Sequence, residues 1–178
     1  MGGFIALLRG INVGGHTRVP MAELRPLAEG LGWEDVRTYI QSGNLLFKSK
    51  GKAPALETAL EEALGKHFGF APAVIVCSAS DWTALAGANP FAKESGTEPN
   101  RVMIGLSKQK PKPGAAEALE GRAAAGERVR EAGGALWFHY PHGAGTSKLT
   151  PGLIDRLVGS PLTARNWRTF LKLKEMLS

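Results

Sequence analysis

Thiol chemistry is almost missing from this chain, because Cys77 is its only cysteine. That excludes an internal disulfide and suits a reducing compartment. Long apolar runs are missing too: nothing approaches the roughly 20 residues that cross a bilayer. The longest early run, Phe4–Leu8, is cut off by Arg9 and has no basic leader, so no signal peptide is expected. Ser147-Lys148-Leu149 spells a peroxisomal address, but that signal is read only at a C-terminus and here it is internal. The expectation is a cytoplasmic protein with no membrane association. Histidine is scarce as well. Of the four, only His139 and His142 are close together, with Pro141 between them and no thiolate nearby, so no metal site is expected. The paired acids Glu34-Asp35 and Glu61-Glu62 read as solvated turn and helix positions. Ser42 lacks a G-x-S-x-G elbow and an assignable His/Asp pair, so it is not a nucleophile of that type. No catalytic constellation and no cofactor follow from these residues.

Acidic side chains are the minority, 16 against 22 basic ones, for a net charge of +6. The imbalance sits in the second half, where residues 101–178 carry 13 basic and 6 acidic side chains. A basic surface favours anionic partners: a nucleotide, a nucleic acid, a phosphorylated metabolite or an acidic protein. The plainer alternative is a solvated surface that happens to be basic.

Glycine and proline are plentiful, 23 and 11, and they punctuate a repeated order of elements. Phe4–Arg9 reads as a strand, followed by the glycine-rich loop Gly10–Gly15. A helix opens at Pro20 with Met21, Leu24, Leu27, Ala28 and Leu31 at helical spacing; Pro26 should kink or shorten it, and Gly32 should end it. Val36–Ile40 and Leu45–Lys48 flank the turn Gln41-Ser42-Gly43-Asn44. A second helix opens at Pro54 with Leu56, Leu60, Leu64 and Phe68 on one face and Glu57, Glu61, Glu62 and Lys66 on the other. Ala73–Cys77 is a last strand. The order β-α-β-β-α-β is the split βαβ, or ferredoxin-like, unit.

Ser80 reads as the cap of a short helix, and Ala88–Asn100 as a turn-rich linker. The order then recurs: strand Arg101–Leu106, helix Ala115–Leu119, and a hairpin of Glu127–Arg130 and Ala135–Tyr140 around Gly133-Gly134. Helix two of this half is capped by Thr150, opened by Pro151 and stopped by Gly159, and Pro161–Ala164 is a weak edge strand. Trp167–Leu177 closes the chain as an amphipathic helix. The fold expected is α+β: two ferredoxin-like βαββαβ units in tandem plus a C-terminal helix. The divisions are residues 1–80, a helix and linker at 81–100, a second unit at 101–165, and the last helix at 166–178.

Gly10–Thr17 reads G-I-N-V-G-G-H-T, one residue from the phosphate-binding pattern G-x-x-x-x-G-K-[ST]. His16 stands where the lysine should be, and Pro20 starts the helix late, so a true P-loop is not expected. An anion held in a nest by Gly14 and Gly15, with Arg9 and Asn12 beside them, is the weaker alternative, against a plain tight turn. The polar turn of Gln41, Ser42 and Asn44 exceeds what Gly43-Asn44 alone would require, although capping side chains would also explain it. It need not lie beside the glycine loop. Trp137 and His139 share one strand face, and exposed strand aromatics stack bases in RNA-recognition modules; burial of these aromatics between the halves is the favoured expectation. Thr163 or Asn166 can cap the last helix, whereas Arg165, near its N-terminus, opposes the helix dipole and so hints at function.

The runs Leu7–Gly15, Val19-Pro20-Met21, Thr38–Asn44, Ser147-Lys148-Leu149 and Thr163–Trp167 together resemble the domain of unknown function 1697 family of bacterial proteins. The resemblance spans nearly the whole chain. It implies two ferredoxin-like halves and implies no activity. It marks the Arg9 loop, the Gln41 turn, Lys148 and Arg165-Asn166, and this chain departs from similar sequences at His16, often lysine there, and at Pro26. The site expected is a basic cleft in which Arg9, Lys148 and Arg165 converge, with Asn12, Gly14, Gly15, Gln41, Ser42, Asn44 and Asn166 completing an anion-binding surface. The alternatives are an enzyme acting on a small phosphorylated or carboxylated metabolite, or a structural module.

Overall fold

The stretch Phe4–Leu8 has no polar side chain on either face, which in an antiparallel sheet suits only an interior strand buried on both sides. In the computed structural model, which describes all of residues 1–178, this stretch lies in β1 (Gly2–Leu8), and Ile5, Ala6 and Leu8 are fully buried. The first unit continues with α1 (Met21–Glu29), β2 (Glu34–Tyr39), β3 (Asn44–Ser49), α2 (Ala53–Phe68) and β4 (Val74–Ser78). Its sheet runs in the order β2-β3-β1-β4, antiparallel throughout. That is the split βαβ arrangement the element order predicts.

After α3 (Ala79–Ala86) and α4 (Ala92–Thr97), the second unit repeats the plan. It contains β5 (Val102–Ser107), α5 (Ala115–Glu120), β6 (Arg128–Ala132), β7 (Ala135–His139), α6 (Pro151–Val158) and β8 (Leu162–Asn166), with α7 (Trp167–Met176) last. The sheet order β6-β7-β5-β8 is that of the first unit, strand for strand. By compactness the chain divides into Met1–Trp82 with Leu173–Ser178, and Thr83–Lys172. No helix is long and apolar enough to cross a membrane.

Each sheet lays its helices on one face. In the first unit Leu24 and Ala28 of α1 and Leu56, Leu60 and Leu64 of α2 meet Phe4, Ala6, Leu8 and Leu45 of the sheet. Trp33 stacks on Phe47 at 3.9 Å between ring centroids. In the second, Leu119, Ile154 and Val158 close over Leu136, Phe138 and Tyr140.

Several local expectations need correction. Gly30, not Gly32, ends α1, its N–H donating to the carbonyl of Pro26. Ser80 lies inside α3; the capping hydroxyl is that of Ser78, which accepts from the N–H of Asp81 at 3.2 Å. The stretch 88–100 contains α4, a helix too short to show periodicity. Thr150 caps α6 as its position predicts, accepting from the N–H of Leu153 at 3.3 Å.

Glu57 and Glu61, assigned from the helical pattern to the solvent face of α2, instead turn towards β4. Glu57 Oε2 accepts from the N–H of Val76 at 2.8 Å, and Glu61 Oε2 from that of Val74 at 3.4 Å. β4 is an edge strand, so these carboxylates take the place of a fifth strand for its outward donors. Replacing Glu57 with Ala is expected to destabilise the protein by about 1–3 kcal/mol, the cost of stranding a part-buried donor. The same change at exposed Glu62 should stay within about 0.5 kcal/mol. Urea unfolding of the two variants measures the difference.

Candidate functional site

Because β3 runs antiparallel to β1 and directly beside it, the start of β3 must lie next to the end of β1. Leu7 pairs with Asn44, and the N–H of Leu8 donates to Gly43 at 2.9 Å. The glycine loop after β1 and the Gln41 turn before β3 are therefore neighbours, contrary to the expectation that they need not be. A single carboxamide fastens them. Asn12 Nδ2 donates to the carbonyl of Gln41 at 2.7 Å and to that of Val19 at 2.9 Å, while its Oδ1 accepts from the N–H of Val19 at 2.8 Å.

Within the loop, Val13 and His16 form a small antiparallel bridge around Gly14 and Gly15, whose φ angles are 65° and 74°. Both lie in the left-handed region that a tight two-residue turn demands and glycine supplies without strain. The N–H of Asn12 donates to Thr17 at 3.1 Å, and the Thr17 hydroxyl to Gly10 at 2.8 Å, which closes the loop on itself. No helix follows directly, since α1 begins only at Met21, so the loop is not a P-loop.

The Gln41 turn is built in the same way. Asn44, fully buried, donates from Nδ2 to the carbonyl of Tyr39 at 2.9 Å and to Ser42 Oγ at 3.0 Å. Gly43 has φ 89°, and a Cβ there would lie 2.7 Å from Ile11 Cδ1, so both its conformation and its space exclude a side chain.

The surface at this end of the first unit mixes polar side chains with the exposed apolar Val13 and Ile40. His16, Arg18, Gln41 and Ser42 are exposed, and Arg9 is half-buried at the base of the loop. Residues 9–20 and 39–44 contain no aspartate or glutamate. His16 and Arg18 were not among the residues expected at the site, although the acid-free run that carries Arg9, His16 and Arg18 is visible in the sequence. The contrast is a depression of about 610 Å³ elsewhere in the first unit, where Arg25 pairs with Glu29 at 3.0 Å and Lys48 with Asp35 at 2.8 Å. There Arg25 and Lys48 each have a carboxylate partner.

Lys148, Arg165 and Asn166 belong to the second unit. Ser147 accepts from the N–H of Leu149 and donates to Glu127 Oε2 at 2.8 Å, and Leu149 is buried, so within this tripeptide Lys148 is the exposed residue. Arg165 lies within β8, buried, and its Nη1 donates to Thr163 Oγ1 at 2.8 Å and to the carbonyl of Ala164 at 2.9 Å. Burial pulls its guanidinium down to about 10, still charged at neutral pH. Asn166 Oδ1 accepts from the N–H of Thr169 at 2.8 Å and so caps α7.

Trp137 is fully buried, with Trp167 and Phe170 against it, and His139 is buried with Glu98 and Arg128 at its ring nitrogens. Neither is available to stack on a base. The groups whose pKa is displaced furthest, Cys77 and Tyr140 upward and Arg165 downward, are all displaced first by burial and lie outside the loops at the end of β1.

Comparison with known proteins finds a family model described as "Protein of unknown function (DUF1697)" matching residues 1–137. No curated protein matches. Among solved structures, that of the conserved bacterial protein SP0830 from Streptococcus pneumoniae is similar over 99% of each chain, at 24% identity and a TM-score of 0.74. That likeness concerns the fold.

Two outcomes test the construction of the site. Gly43→Ala should cost about 2 kcal/mol or more, because strain and overlap add, whereas Gly14→Ala, with open space around it, should cost about 1 kcal/mol. Asn12→Ala should cost about 2–3 kcal/mol for its three hydrogen bonds and should speed amide exchange in both loops. Denaturant unfolding and hydrogen exchange read these effects.

Proposed function

The chain belongs to the DUF1697 family, and from that premise we propose that it is a binding protein for an anionic ligand of the phosphate-bearing class that includes nucleotides and nucleic acids. The seat is the loop end of the first unit. Arg9 stands at its base, Gly14 and Gly15 at the loop tip, and Gln41 and Ser42 on the adjoining turn, with His16 and Arg18 exposed beside them. Asn12 and Asn44 position these loops; their carboxamides are turned to backbone and to Ser42. The observation that carries the reading is the joining of two loops that contain cations and no carboxylate by the Asn12–Gln41 bond. Basic side chains carried on one surface favour the arrival of an anion. In the second unit, Lys148 is the exposed cation that the same reading assigns to a ligand, while Arg165 and Asn166 serve their own strand and helix.

The test is fluorescence anisotropy with a labelled single-stranded oligonucleotide at several salt concentrations. Arg9→Ala and Arg18→Ala are expected to weaken binding, each lowering the log–log salt slope by about 1, while Arg122→Ala, at an exposed cation of the second unit, leaves the slope unchanged. Equal affinity of the Arg9→Ala/Arg18→Ala double variant and the unaltered protein would overturn the assignment.

A further inference from the structure

The helical face of the first unit carries a groove of about 460 Å³ between α1 and α2. Its walls are apolar: Leu27 and Leu31 on the α1 side, Ala59 and Ala63 on the α2 side, all four half-buried. The pattern of α2 explains the shape. Leu56, Leu60 and Leu64 point into the core, and the positions just before the last two hold alanine, so methyl groups on successive turns leave the helix thin beside α1. The two leucines pack on the same core and leave their outer edges uncovered. His67 closes one end of the groove, its Nε2 standing 3.2 Å from Glu23 Oε1 of α1. Glu62 and Lys66 form the rim along α2.

The rim decides what can cover these walls. Glu62 and Lys66 are exposed, opposite in sign and one helical turn apart, and neither is held in an ion pair within the chain. A partner of one sign would meet a repulsion for every attraction. A partner with both signs at the same spacing, in reverse order, would meet two attractions. Such a surface is α2 itself, turned end for end, which is the relation a two-fold axis imposes. In an antiparallel pair of α2 helices crossing between Glu62 and Ala63, Lys66 of one copy lies opposite Ala59 of the other, one turn from its Glu62. Symmetry repeats the contact. The aliphatic stem of lysine then covers the alanine wall while its ammonium meets the carboxylate. Small side chains at the crossing let the helix axes come close.

We infer that the α1–α2 groove is the contact face of a two-fold dimer of this chain, built on the Ala59–Ala63 wall and on Glu62–Lys66 pairs made between copies. The inference is independent of the anion-binding reading. A contact confined to this face is at the small end for a specific interface, so the dimer is weak, with a Kd of about 1–100 µM.

Sedimentation velocity of the full chain, from well below to well above that range, tests it. The unaltered protein should show a reversible monomer–dimer equilibrium. Glu62→Lys sets lysine against lysine across the axis, and Lys66→Glu sets glutamate against glutamate, so each variant alone should dimerise about tenfold or more weakly. An equimolar mixture of the two variants should dimerise at least as tightly as the unaltered protein, because every opposed pair then carries opposite signs. Recovery in the mixture also shows that both variants are folded. A monomer at every concentration overturns the inference. So does a dimer that neither variant weakens, or one that the mixture fails to restore, since its contact would then lie elsewhere.

Discussion

An open four-stranded sheet leaves a row of outward N–H groups on each of its two edge strands, and a part-buried donor without an acceptor is costly. Much of the polar architecture of this protein answers that constraint. On β4 the acceptors are Glu57 and Glu61 of α2. On β6, Glu120 of α5 accepts from Val129 at 3.1 Å, and on β8, Asp155 of α6 accepts from Leu162 at 3.0 Å. The remaining edge strand, β2, is treated differently: its register shifts between Glu34 and Arg37, Asp35 takes a φ of 50°, and Lys48 pairs with Asp35. A bulge with charge on it spoils the edge where no helix carboxylate reaches it. The two units repeat a solution to one constraint with different residues, which explains why their kinship is plain in element order and faint in residue identity.

The same economy divides the polar motifs into two populations. Carboxamides and hydroxyls mostly work inward: Asn12 fastens two loops, Asn44 shapes a turn, Asn166 caps a helix, Thr150 caps another, and Ser147 holds the segment before α6. In the glycine loop, His16 and Arg18 are exposed beside these amides. Motifs that look uniformly polar in sequence are therefore mixtures, in which the amides hold a shape and neighbouring residues present a surface.

How much of this was legible beforehand depended on the range of the physics. Strands and helices announced themselves through apolar spacing, as in the all-apolar Phe4–Leu8 and the four-residue beat of Leu56, Leu60 and Leu64. The Gly133-Gly134 hairpin and the Thr150 cap are local chemistry and read correctly. Short-range signals failed where competitors stood close together: Ser78 and Ser80 are both plausible caps, and only backbone geometry chooses between them. Glu57 and Glu61 sit at positions that solvent or a neighbouring strand could equally claim. For the candidate site, the marked residues were visible, yet the joining of the glycine loop to the Gln41 turn follows from the pairing of β1 with β3, a relation between segments 30 residues apart. Ile40 was taken simply as the end of a strand, because composition carries no sign of a left-handed backbone.

The carboxylates along the edges also limit how this protein can be recognised. Many domains capture a peptide by letting it extend a sheet, main chain to main chain, with the edge strand as template. Here the donors of Val74 and Val76 on β4, of Val129 on β6 and of Leu162 on β8 already have acceptors, and β2 is interrupted by its bulge. An incoming strand would have to displace these charged acceptors, each held by its own helix. Molecular recognition is thereby directed away from the flanks of the sheets and towards side chains at the ends of their strands.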